Sequence, residues 1–77
     1  MTNHAKRYNG HKNWQFWNVS LWINNDENLY RTAKCHIDEC GAKYSAAVRM
    51  AAELEGESTP DGAKYTVATI RAAMEGL

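Results

Sequence analysis

Three indoles and a phenyl ring fall within nine consecutive positions of this chain, in the stretch Asn13-Trp14-Gln15-Phe16-Trp17-Asn18-Val19-Ser20-Leu21-Trp22-Ile23-Asn24. Whatever the chain folds into must find places for these rings. As a strand, the stretch would set Trp17, Val19, Leu21 and Ile23 on one face and Phe16, Asn18, Ser20 and Trp22 on the other. As a helix, it would gather Trp14, Trp17, Leu21 and Ile23 or Trp22 on one broad stripe, with Asn13 free to cap its start. No second convincing strand follows, and a lone strand leaves its backbone groups unpaired. The expectation is therefore a helix. A single helix cannot turn all four rings inward, so at least one should stay partly exposed.

The rest of the chain reads as helix and turn. Asn25 is a candidate cap for a helix over 26–40, with Asp26 and Glu27 in a first turn that favours acids. Leu29, Ala33, Ile37 and Cys40 recur there at helical spacing, and Gly41 is a natural stop. A third helix is predicted over about 42–55, with Tyr44, Val48, Ala51 and Leu54 on its inner stripe and Ala47 and Met50 beside them. Its alanines favour helix and close helix–helix approach. In 56–62, Pro60, Asp61 and Gly62 suit the second, third and fourth positions of a turn. A last helix over about 66–76 presents Val67, Ile70, Met74 and Leu77. The expected fold class is all-α: a compact bundle of three or four short helices over 13–77, preceded by a flexible arm over 1–12.

Size and charge narrow what such a bundle can do. The chain has 77 residues, and 11 of its apolar residues are alanine. A core this small leaves only a few kcal/mol of net stability, so a partner or a second copy of the chain is an expected companion. The rings are expected to fill the core, Trp17 above all, with Trp14 and Trp22 beside it; the sharper reading leaves one or two outside as binding anchors. Nine basic side chains balance nine acidic ones, which excludes a uniformly basic nucleic-acid coat. The balance is uneven: 1–12 carry three basic and no acidic residues, and 13–77 carry six basic and nine acidic. No apolar run suits a membrane span or a secretory leader. A cytoplasmic protein with free thiols at Cys35 and Cys40 is expected.

The block Asn13-Trp14-x-x-Trp17-Asn18-Val19-x-Leu21-Trp22-Ile23-Asn24-Asn25-Asp26-Glu27-x-Leu29-Tyr30, with the later turn Thr59-Pro60-Asp61-Gly62, resembles a family of short uncharacterised proteins encoded by phages, prophages and other mobile elements. The block is specific over about a quarter of the chain. Phe16 stands where that family usually carries a small polar residue, and Asn28 where it usually carries glycine. The resemblance implies a mainly helical fold and a mobile-element origin, and it assigns no catalytic residue. Asn18, Asn24 and Asn25 are expected either to cap or bridge helix ends or to form a hydrogen-bonding patch beside Trp22. Asp26 and Glu27 read as surface acids matched to a helix dipole.

Tests for chemistry return little. His36 and Cys40 lie one helical turn apart, a workable pair for zinc, but a structural site needs four ligands and the other candidates are badly placed. Neither an orienting group nor an oxyanion loop accompanies the same pair as a thiol–imidazole nucleophile. There is no glycine-rich phosphate loop. No metal, cofactor or enzymatic activity is expected. Glu53, Glu55, Glu57 and Asp61 form an acidic run that is ordinarily solvated, though it could meet a basic groove.

The expected function is that of a non-catalytic phage or mobile-element interaction protein. An anti-defence inhibitor, such as an anti-CRISPR protein, would bind a host protein or defence complex and block it sterically. Phe16, Trp22, Asn24, Asp26 and Glu53 are the expected contact residues. The alternative is a small nucleic-acid-binding accessory using Lys6, Arg7, Lys12 and Arg31, held weakly because so few charges release few counterions.

Overall fold

The computed structural model describes residues 11–77, so most of the basic arm expected over 1–12 lies outside the described residues. Four helices follow one another: α1 (Trp14–Asn25), α2 (Glu27–Cys40), α3 (Lys43–Glu53) and α4 (Val67–Met74). Among the described residues no strand occurs, and the all-α bundle is the observed class. α1 packs on α2 and α4, and α3 packs on the same two, so the four helices enclose one core. Among the described residues no helix is long and apolar enough to cross a membrane.

The helix ends follow local chemistry. The Asn13 side chain accepts the Phe16 N–H at 3.2 Å and starts α1 as expected. The next boundary differs from expectation. Asp26, not Asn25, is the cap, and this one residue serves two helices: its N–H donates to the Trp22 carbonyl, ending α1, and its carboxylate accepts the Leu29 N–H, starting α2. Asn25 instead prolongs α1 and turns its amide back onto the Leu21 carbonyl at 2.8 Å. A charged acceptor satisfies the free N–H groups of a helix start better than a neutral amide does. Gly41 ends α2 at φ 73°, a left-handed conformation that side chains with a Cβ adopt at a cost. Thr66 and Thr69 form a reciprocal capping box that opens α4.

The core overturns two expectations. It is built from Val19, Ile23, Ala33, Ala46, Ala47, Met50, Ala63, Ile70, Ala73 and Met74, and among the described residues no aromatic ring is fully buried. Trp17 and Trp22 are half-buried, and Trp14 keeps 38% of its surface. The rings lie around the core, not in it. α3 departs from its expected register in part: Ala51 and Leu54 pack against the core as expected, but its first two turns are rotated. Ala46, Ala47 and Met50 face inward, whereas Tyr44 (62% exposed) and Val48 (40%) point out. Both results share a cause: α3 packs on α2 and α4 at once, and alanine is what allows backbones to approach that closely. Val19, Ile23, Ile70, Met50 and Met74 are the largest apolar side chains buried in the remaining space. The α2 stripe agrees with expectation, since Ala33 is buried and Leu29, Ile37 and Cys40 pack against the core.

Candidate interaction surface

α1 has two faces with different chemistry. Its inner side presents Asn18, Val19 and Ile23 to the bundle, all but inaccessible, with Ser20 at the edge. Asn18 is one of the largest fully buried side chains in the protein. A buried amide needs partners, and the turn over 59–62 supplies them. The Thr59 hydroxyl donates to Asn18 Oδ1 at 2.5 Å, and Asn18 Nδ2 donates to Asp61 Oδ2 at 2.9 Å. Trp22 Nε1 donates to the same Asp61 oxygen at 2.9 Å. Thr59 Oγ1 in turn accepts the Ala63 N–H, and the Gly62 N–H closes the turn on the Thr59 carbonyl. Asp61 is thus more than a member of a solvated acidic run. The donors Asn18 and Trp22 hold its carboxyl below the ordinary value of 3.8. The two most distinctive stretches of the sequence, the tryptophan block and the Thr-Pro-Asp-Gly turn, meet in this cluster. Asn18 bridges to a loop and not to a helix end.

The outer face of α1 carries Trp14, Trp17, Leu21, Asn24 and Asn25, which follow one helical stripe. Trp14 and Leu21 are exposed at 38% and 37%. A shallow cavity of about 180 Å³ lies along the stripe, lined by His11, Trp17, Ser20, Leu21, Asn24 and Asn25. That volume is below the ~300–1,000 Å³ of sites that enclose a small molecule. It is a recess for one or two side chains of a macromolecule. The stripe has a further property: from 13 to 25 there is no charged residue, in a chain with 18 of them.

The expected contact residues are scattered by the fold. Phe16 is half-buried, with the Lys12 ammonium 5.8 Å from its ring centre. Trp22 and Asp26 have the internal duties described above. Glu53 accepts from His36 Nε2 at 2.9 Å, tying α3 to α2. Only Asn24 belongs to the outer face of α1, where its amide donates to the Ser20 carbonyl at 2.8 Å. Trp14, Trp17 and Leu21 were legible as one helical stripe; the missing signal was that this stripe faces out. Of the basic set, Arg31 pairs with Glu27 at 2.6 Å, and Lys6 and Arg7 lie outside the described residues.

The thiol and imidazole groups do not converge. His36 is engaged by Glu53, and Cys40 Sγ faces the Arg49 guanidinium at 3.6 Å. Cys35 is exposed and hydrogen-bonds Glu39, whose proximity pushes its thiol pKa up from 9.0 and favours the unreactive protonated form. Among the described residues no three His, Cys, Asp or Glu side chains are grouped to hold a metal ion. Near the α1–α2 corner, burial raises the Tyr65 phenol, helped by the charges of Asp26 and Glu57.

A helical bundle whose tryptophan block is locked to a Thr-Pro-Asp-Gly turn is the class that fold and site define. The sequence profile of a family of unknown function, DUF7249, matches residues 4–77, and the chain belongs to that family. No curated protein and no solved structure matches it significantly.

Proposed function

We propose that this protein is a non-catalytic interaction protein of phage or mobile-element origin that acts in the host cytoplasm. It docks on a host protein or defence complex through the outer face of α1 and blocks that target sterically, as an anti-CRISPR inhibitor would. The observation that carries this reading is the uncharged stripe of Trp14, Trp17, Leu21, Asn24 and Asn25, exposed at every position but the half-buried Trp17. Interface centres are depleted in charge and enriched in tryptophan, and their anchors fill recesses on the partner. A solvated helix face of an ordinary small domain carries Lys and Glu instead. Asn24, among the contact residues expected from sequence, lies on this stripe.

The test is a pull-down with the tagged chain from host lysate, run beside Leu21→Arg and Trp14→Ala. The reading expects a subunit of a defence complex to be retained by the wild type and lost with Leu21→Arg. Equal retention by both variants would remove α1 from the contact. Recovery of nucleic acid alone, released by moderate salt, would favour an accessory that binds phosphates through its basic residues.

A further inference from the structure

The turn that receives Asn18 and Trp22 holds a reactive pair of its own. Asp61 and Gly62 are both exposed, and Gly62 adopts φ 101° with open space where a Cβ would stand. In an aspartyl–glycyl pair the backbone nitrogen of the second residue reaches the side-chain carboxyl carbon of the first with the least hindrance, because glycine has no Cβ. We infer that Asp61–Gly62 is a site of spontaneous backbone isomerisation, through a succinimide to isoaspartate, and that α1 guards it through the hydrogen bonds from Asn18 and Trp22 to the Asp61 carboxylate. The inference is independent of the docking reading, which uses other residues of α1.

The step needs no co-reactant but water. The Gly62 nitrogen attacks Asp61 Cγ, the bond from Cγ to its hydroxyl breaks, and that hydroxyl leaves with the nitrogen's proton as water. Water then opens the five-membered ring. Cleavage between the nitrogen and Cγ restores aspartate. Cleavage between the nitrogen and the Asp61 main-chain carbonyl carbon leaves the chain running through Cγ, as isoaspartate.

Three features of the native turn hold this step back. Hydroxyl departs from a protonated carboxyl and not from a carboxylate. Asn18 Nδ2 and Trp22 Nε1, each 2.9 Å from Asp61 Oδ2, bond the charged form and hold the carboxyl below its ordinary 3.8. The same two bonds tie the side chain to α1, and Cγ must leave them before it turns onto the backbone. The attacking nitrogen is itself engaged, since the Gly62 N–H donates to the Thr59 carbonyl at 2.9 Å. The product does not fit the lock it came from. Isoaspartate lengthens the turn by one backbone methylene and sets the carboxylate directly on Cα, so it withdraws the group that Asn18 and Trp22 bond.

The test follows isoaspartate at position 61 in the full chain, incubated in mildly acidic buffer with and without urea. Tryptic peptide 50–64 reports it, because its two isomers have equal mass but separate by chromatography and differ on fragmentation. Trp22→Phe keeps a ring and removes one donor. A hydrogen bond to a charged group shifts the bound-to-free ratio about tenfold, so the folded variant should isomerise about tenfold faster than the folded wild type. In urea the two chains should isomerise equally fast, and faster than the folded wild type. Ile70→Val removes a methylene from the buried core but leaves both donors in place, and it should keep the wild-type rate. A folded Trp22→Phe that isomerises at the wild-type rate overturns the guard. So does an Ile70→Val as fast as Trp22→Phe, since unfolding of the whole chain would then control the step. The wild-type comparison needs no variant: no isoaspartate in urea overturns the site, and equal rates with and without urea overturn its protection.

Discussion

Two of the polar links between elements of this bundle, one beside α1 and one between α2 and α3, are built on opposite terms. Beside α1, Asn18, Thr59, Asp61 and Trp22 satisfy one another, and the amide of Asn18 is used at both its oxygen and its nitrogen. Between α2 and α3, His36 reaches Glu53 through Nε2 but buries Nδ1 with no partner. A carboxylate can only accept, so Nε2 donates, and the other ring nitrogen is left with nothing to bond. A buried group without a partner forfeits about 1–3 kcal/mol. That loss offsets most of what the His36–Glu53 contact contributes, and exposure of Glu53 to solvent weakens it further. The comparison teaches that a buried polar residue holds this fold where each of its polar atoms has a partner.

The largest test of that contrast is Asn18→Ala. It strands the Thr59 hydroxyl in a buried site, removes a donor from Asp61 and leaves a small cavity, so a loss of about 2–4 kcal/mol is expected. Urea unfolding would measure it, and a loss below 1 kcal/mol would show that the turn stands without α1. Next is Thr59→Val, which keeps the shape but withdraws the hydroxyl from Asn18 and from the Ala63 N–H. About 1–3 kcal/mol is expected to go, less than for Asn18→Ala because valine fills the same space and leaves no cavity. At the other link, His36→Leu should change stability by less than about 1 kcal/mol in either direction, since it deletes the lone Nδ1 along with the contact to Glu53. A loss as large as that of Asn18→Ala would erase the distinction between the two links.

The smallest effect is on pH. Asp61 has a folded pKa below its ordinary 3.8 because Asn18 and Trp22 donate to its charged form. Its contribution is therefore complete above 3.8 and is lost as pH falls through the lower folded value. Urea midpoints recorded down the acid limb should fall less steeply for Asp61→Asn than for the wild type. Identical slopes would mean that the two donors do not favour the charged carboxylate.

Much of the architecture was readable in advance because it rests on local chemistry. Asn13, Gly41 and the 59–62 turn mark boundaries through the dihedral angles and hydrogen bonds that those residue types permit. The amphipathic spacing of α2 is equally local. The spacing places Asp26 in the first turn of α2, one position from its role as cap, because sequence cannot say which of two adjacent acceptors reaches the free N–H groups. The links that join distant segments were illegible: Asn18 and Asp61 are 43 positions apart, and neither carries a mark naming the other.

The residue pattern alone determined that this chain is helical, where its turns fall, and that it has more bulky rings than a small core can hide. Only tertiary packing decided which side of each helix is inside. α1 offers two apolar stripes, Trp14/Trp17/Leu21 and Val19/Ile23, and α3 offers Tyr44/Val48 and Ala46/Ala47/Met50. In each helix the stripe of slimmer side chains won the interior. Periodicity states that a face is apolar, but burial depends on the space that neighbouring backbones leave. Four short helices drawn together by alanine leave room for methyl groups and thioethers, and the indoles remain at the surface.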